Sequence, residues 1–356
     1  MESATVSMSV LNSDTYKTSI LPDSDPGTLN EAPCSFRHLL PEELREISNE
    51  IKRVQFSPYL ERWIVDYEQV GQRGRFLWQW CWRGVNMTTL PSVDPALREH
   101  AMESKMLAIF YGTLIDDIAD REQDREMLQF AINLSEEEWH PERLDFWNGR
   151  RKDYLNMISS LWTELWSRCK TYPQFVAFEH LLRFDNEQIH NAMRYALLAN
   201  QSPGLLNSIE HDLYQPHNMQ IMFMATLDLA ASPSFDMDEL GIAREVFWHA
   251  QRMGRIGNMI TTWEREVLDR DFTSGIFAHA LQRGIVEPSD LRVLPAHEIM
   301  TMLEEAACQD HFFKEWQAHR DAMTRKLKRI KSVDLTPYLK GFEQLIKLHL
   351  SSRGFL

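Results

Sequence analysis

Apolar positions recur along this chain with helical spacing and almost never alternate in the two-residue rhythm of a strand. The spacing predicts helices over residues 41–54 and 58–67, and a third over 76–82 after the break Gly71-Gln72-Arg73-Gly74. Residues 96–120 read as one long helix. Helices over 147–169, 173–199 and 206–231 follow, with Ser202-Pro203-Gly204 and Ser232-Pro233-Ser234 as punctuation. Another long helix is expected over 236–269, then helices over 272–283, 288–291, 296–330 and 335–350. No internal repeat, low-complexity tract or heptad run interrupts the pattern. About ten helices with short connections describe an all-α bundle, which builds its sites from side chains projecting between helices.

No linker rich in Gly, Ser or Pro divides residues 44–350, so a single helical domain over 36–356 is expected. Residues 1–35, with scattered Ser, Thr, Asp, Asn and Pro, read as a flexible tail. That tail has neither the basic start nor the apolar core of a secretory signal. No run approaches the ~18 apolar residues of a membrane span. A cytoplasmic protein with no membrane partner, monomeric or homodimeric, is the expectation. At 356 residues, 44% hydrophobic and 25% charged, the composition is that of an ordinary globular protein. Cys34, Cys81, Cys169 and Cys308 stand far apart without a paired Cys or His, which argues against a zinc site or a disulfide framework. A net charge of -14 argues against nucleic acid as a partner.

Two polar clusters break this apolar background. Asp116-Asp117-Ile118-Ala119-Asp120 ends one predicted helix, and Asn258, Thr262 and Glu266 run at i, i+4, i+8 along another. Positions four apart drift by only about 40° around a helix. Asp116 and Asp120 therefore share a face with Asp117 beside them, and Asn258, Thr262 and Glu266 form a ladder of oxygens. Carboxylate, amide and hydroxyl oxygens suit a hard cation such as Mg²⁺, which takes a few carboxylates plus waters and substrate phosphates. A solvated acidic helix face gives the first triplet equally well; the two clusters together are harder to explain that way.

The pair resembles the motifs of the class I terpene synthases. Asp116-Asp117-x-x-Asp120 is similar to that family's DDxxD, and Asn258-x-x-x-Thr262-x-x-x-Glu266 to its Asn-(Asp)-xx-Ser/Thr-xxx-Glu, with Met259 at the optional Asp. The resemblance implies an all-α synthase fold and a prenyl diphosphate substrate. It also implies Mg²⁺, three ions, held by Asp116, Asp117, Asp120, Asn258, Thr262 and Glu266, with Asp116, Asp117 and Arg265 in catalytic roles. Arg265 stands where the family places a cation that reaches the diphosphate. Arg255, three residues before Asn258, is a second donor candidate, and a solvent-facing Arg is the plain alternative.

One family feature is missing. No Arg occurs near Asp212, where a diphosphate-sensing Arg is expected, and His217 and Asn218, just after Pro216, are the substitutes; a helix cap by Asn218 is the alternative. The C-terminal Arg-Tyr pair is altered to Arg353-Gly354-Phe355, with Arg353 placed to close over the diphosphate. Phe110 and Tyr111, one to two turns before Asp116, are candidates to line an aromatic cavity for a carbocation, with Trp78, Trp82, Phe223, Phe247 and Trp316 as further candidates.

The altered segments look like bacterial diterpene synthases. The expected substrate is therefore a C20 diphosphate, either geranylgeranyl diphosphate or a bicyclic product of a separate class II cyclase. Farnesyl diphosphate is the alternative, and a non-enzymatic helical interaction protein is the alternative of another class. A chain-elongating prenyltransferase is disfavoured because the second cluster is not aspartate-rich. Asp236-Met237-Asp238-Glu239 reads as an acidic helix start and not as a class II DxDD motif.

Overall fold

Helix punctuation in this chain is written largely by proline and by left-handed residues. The computed structural model describes residues 39–136 and 141–353, so the tail expected over 1–35 lies outside the described residues. Pro41 and Pro58 open α1 (Pro41–Lys52) and α2 (Pro58–Val70), where a missing N–H costs nothing, and the Ser57 hydroxyl accepts from the Leu60 amide (3.3 Å). Gly74 precedes α3 (Arg75–Thr88). α4 (Arg98–Asp117) runs into a π-helical turn, Ile118–Glu122, that ends at left-handed Gln123 (φ 48°). α5 (Arg125–Glu136) is a helix that the periodicity did not predict. α6 (Gly149–Cys169) and α7 (Phe175–Gln201) match the expected spans closely.

Two expected helices are each broken in two. Residues 206–231 form α8 (Ser208–Tyr214), a 3₁₀ turn (Gln215–Met219) and α9 (Ile221–Ala230), because Pro216 cannot donate and Gln220 is left-handed (φ 57°). After the central α10 (Leu240–Asp269) come α11 (Gly275–Gln282) and α12 (Pro288–Val293). The helix expected over 296–330 is α13 (Ala296–Glu305) and α14 (Cys308–Leu327), parted at left-handed Ala307, and α15 (Thr336–Ser351) ends the described fold. Asp236 caps the short 3₁₀ turn before α10 by accepting from the Asp238 amide (3.0 Å), which bears out the helix-start reading of that acidic run.

α9 is the peg on which the site hangs. It packs against α4, α7 and α10. Buried Lys105 on α4 pairs with Asp228 on α9, which also accepts from the Leu90 amide (2.9 Å). Asp185 on α7 accepts from Thr226 on α9 (2.6 Å) and takes both Arg244 nitrogens from α10 (2.8 and 3.1 Å). Buried ion pairs are weak sources of net stability, but losing one partner is costly, so they fix how helices register. Gln251 on α10 accepts from the Met222 amide (3.0 Å), satisfying one N–H in the first turn of α9 that its own cap leaves open.

Candidate active site

The two motif helices are notched to admit the α8–α9 break. Gly112 lies one turn before Asp116, and a Cβ there would meet the Gln220 side chain at 1.9 Å. Gly254 lies one turn before Asn258, and a Cβ there would meet Ile221 Cδ1 at 2.4 Å. The chain reversal at Gln220 is thereby wedged between the two clusters, and Asn218 reaches Asp116, its Nδ2 donating to Oδ1 at 2.9 Å. Asn218 makes no cap bond; left-handed Gln220 occupies the N-cap position of α9. His217 goes elsewhere. Its Nδ1 lies 3.3 Å from Gln251 Nε2 and its ring packs on Trp248, about three turns before Asn258 on α10, where burial pushes its pKa down to about 4.

The aspartate motif divides by function. Asp116 and Asp117 end α4, whereas Asp120 falls in the π turn, a geometry frequent at functional sites. Asp117 is 2% exposed, and its Oδ1 accepts from both Nε and Nη2 of Arg73 (2.9 and 2.6 Å), with Arg121 Nε at 3.5 Å. Asp117, expected as a metal ligand, thus has its Oδ1 taken by the Arg73 fork, while its Oδ2 is buried without a hydrogen-bond partner. Arg73 Nη2 also lies 3.7 Å from Asp116 Oδ2. Asp120 stands within hydrogen-bonding reach of Asp116 and accepts from Asn200 Nδ2 at 3.4 Å. Burial raises the pKa of Asp116, against the pull of Arg73, and raises Asp120 well above the carboxylate range, helped by Asp116 and Asp271.

On α10 the second motif is one hydrogen-bonded run. Thr262 Oγ1 donates to Glu266 Oε1 (2.7 Å) and lies 2.9 Å from the Asn258 carbonyl, while Arg255 Nη1 donates to Asn258 Oδ1 (3.1 Å). Burial, then Asp271, pushes the Glu266 pKa up to about 7, and Arg255 opposes this. Arg255 also opposes the rise at Asp120.

Arg265 is half-buried, with Nε 3.8 Å from Asp269. Arg353 does not close over the cluster. It pairs with half-buried Glu264 (Nε to Oε2, 3.2 Å), which lies six positions from Asn258, about 120° around the helix. Phe110 is fully buried, with Trp78 edge-on at 4.7 Å and Tyr67 at 6.1 Å. Tyr111 points its hydroxyl at His190 Nε2 (2.8 Å) on α7 and packs near Trp162, so it belongs to the bundle wall. Phe223, Phe247 and Trp316 are buried in the core, and Trp82 is half-buried against it.

Among the described residues no three His, Cys, Asp or Glu side chains form a ready-made cage. The oxygens are divided between α4 and α10 instead. They fit a hydrated hard cation: Glu266 Oε2 is buried with no hydrogen-bond partner, and Glu266, Asp116 and Asp120 have raised pKa values that a cation would reverse. Asp116, Asp120, Asn258, Thr262 and Glu266 are the residues placed to hold it. An open surface hollow of about 500 Å³, lined by Phe130, Phe146 and Trp147 among others, contains none of these groups. Arg73, Asn200 and Asp271 were not singled out from the sequence. They lie in loops or at a helix end, where periodicity carries no signal.

No protein-family model matches the chain, and no curated protein sequence does. Solved structures that resemble it include isoprene synthase from grey poplar leaves (Populus x canescens), with a TM-score of 0.54 and 11% identity, covering 86% of this chain and 52% of that one. Farnesyl diphosphate synthase from T. brucei gives a TM-score of 0.48 and 10% identity, covering 88% of this chain and 96% of that one. The chain spans about half the length of the isoprene synthase (52%). The likeness to isoprene synthase establishes the all-α terpenoid-synthase fold. No described helix is long and apolar enough to cross a membrane.

Proposed function

We propose that this chain is a class I terpene synthase, which ionises an allylic prenyl diphosphate, releases inorganic diphosphate and resolves the carbocation to an olefin or an alcohol. One observation carries this reading: within a terpenoid-synthase fold, Asn200 joins Asp120 of the first motif (3.4 Å) to the Phe272 amide just past the second (3.1 Å), so both sets of oxygens flank one place. Asp116, Asp120, Asn258, Thr262 and Glu266 would hold Mg²⁺, three ions by the family resemblance. When bound, the metal neutralises charge on the departing diphosphate oxygens.

The chain's own residues do the rest. Asn218 orients Asp116 through Oδ1. Arg255, with a buried Nε that has no partner, and Arg265 supply cationic donors to the diphosphate as the C–O bond breaks and its electron pair leaves with oxygen. Phe110 and Trp78, beneath the aspartates, offer π-faces to the carbocation and keep water from it.

The substrate is a C20 diphosphate, geranylgeranyl or a bicyclic class II product, because the Arg-lacking 216–220 segment and the altered C-terminal pair look like bacterial diterpene synthases. Incubation with farnesyl, geranylgeranyl and class-II-derived bicyclic diphosphates and Mg²⁺, with products read by mass spectrometry, tests this. C20 turnover is expected. A sesquiterpene product without C20 turnover would move the substrate to C15. Inertness toward all of them would favour a helical interaction protein.

A further inference from the structure

Asp271 belongs to neither motif, yet it stands where the two meet. Left-handed Arg270 (φ 57°) turns the chain back at the end of α10, and the Asp271 amide then donates to the Glu266 carbonyl at 2.9 Å. Thr273 donates its amide (3.1 Å) and its hydroxyl (2.7 Å) to Asp271 Oδ1, which fixes the carboxylate. The intervening Phe272 amide donates to Asn200 Oδ1 (3.1 Å), and Asn200 Nδ2 donates to Asp120 Oδ1 (3.4 Å). Asn200, at the end of α7, thus brackets the 271–273 turn to the aspartate motif.

A fourth carboxylate here has a physical cost. The Asn200 bracket holds its turn to Asp120, and its own amide is bonded to the Glu266 carbonyl; like charges gathered in a partly buried place destabilise the fold unless a cation joins them. The second observation is independent of the acids' number. Glu266 is 5% exposed, Thr262 occupies its Oε1, and its Oε2 is buried with no donor at all. A buried acceptor left open beside Asp271 calls for a ligand that the protein does not supply.

We propose that Asp271 is a further carboxylate of the metal-binding face, bridging the aspartate motif of α4 and Glu266 of α10, with Thr273 and Asn200 as its positioning residues. This rests on the metal-dependent reading above.

The test is Mn²⁺ binding to the purified full chain at fixed inorganic diphosphate, followed by calorimetric titration and by the thermal midpoint against Mn²⁺ concentration. Asp271→Asn keeps the Oδ1 acceptor for Thr273 and removes only charge. It should raise the half-saturating Mn²⁺ concentration by about tenfold or more, with a metal-free thermal midpoint no lower than wild type. Thr273→Val, which leaves the charge and the amide bond but removes the hydroxyl bond to Oδ1, should weaken binding by roughly threefold. Asp116→Asn is the control for the site itself. Wild-type binding in Asp271→Asn alongside loss in Asp116→Asn overturns the role of Asp271 and leaves the enzyme reading intact. Absence of Mn²⁺ binding in the wild type, with and without diphosphate, overturns both.

Discussion

Asn218 donates its side-chain N–H to Asp116 Oδ1 at 2.9 Å, joining the α8–α9 break to the aspartate motif across the bundle. The bond sets which oxygen of Asp116 remains free, and Asn218 serves no helix end. We expect Asn218→Ala to lower turnover of a prenyl diphosphate by about 10²-fold, with a thermal midpoint close to wild type. A role in helix capping predicts the reverse, a loss of about 1 kcal/mol with intact turnover. Steady-state kinetics and thermal melts on the same preparation separate the two.

Arg73 and Asp117 form a buried pair with a different purpose. Asp117 is 2% exposed and has one further oxygen without a partner, so removing the guanidinium strands a charge in the interior. Arg73→Ala should therefore destabilise the protein by about 3 kcal/mol, and Arg73→Ala/Asp117→Asn should regain more than half of that. Urea unfolding of the single and double variants measures the coupling. If Asp117→Asn alone abolished metal binding while Arg73→Ala left stability unchanged, Asp117 would be a ligand and not an anchor.

The fold class and both clusters could be read from sequence because they follow helical rules. Asp116/Asp120 and Asn258/Thr262/Glu266 keep their i, i+4 faces, with the first pair only modestly altered by the π turn. What lay hidden depended on contacts between elements. Arg73 sits in a four-residue loop with no periodicity, and its capture of Asp117 could not be seen without the packing of that loop on α4. The left-handed positions Gln220 and Ala307 gave no signal because neither is glycine, the usual mark of such a position. The pairing of Arg353 with Glu264 is likewise a contact between elements that spacing along the chain does not encode. His217 and Asn218 looked equivalent as neighbours, but in a 3₁₀ turn adjacent side chains point apart, one to α10 and one to α4.

His349 provides a pH test away from the acids. It lies on α15 against Trp80 and Gly257, fully enclosed, with both ring nitrogens unpartnered, and burial alone pushes its pKa down to about 3. A folded-state pKa below the unfolded value of 6.5 means that the unfolded chain binds the proton first. The contribution to stability is therefore complete above pH 6.5 and is lost as the pH falls toward 3. At pH 5 the loss from this residue is about 2 kcal/mol. We expect His349→Leu to match or exceed wild-type stability at pH 7.5 and to lose about 2 kcal/mol less between pH 7.5 and 5. Denaturant midpoints at the two pH values measure it. Parallel losses in both proteins would show that His349 is hydrated and titrates normally.

The most direct test is release of inorganic diphosphate from geranylgeranyl diphosphate and from farnesyl diphosphate, with Mg²⁺ and with chelator, by wild type, Asp116→Ala and Asn258→Ala. The two substitutions fall on different helices, so a shared site makes both essential. We predict Mg²⁺-dependent release by the wild type with at least one substrate, and losses of about 10²-fold or more in each variant, several kcal/mol of charge stabilisation. Turnover near wild type in both variants, or release unaffected by chelator, would contradict a metal-dependent site shared between α4 and α10.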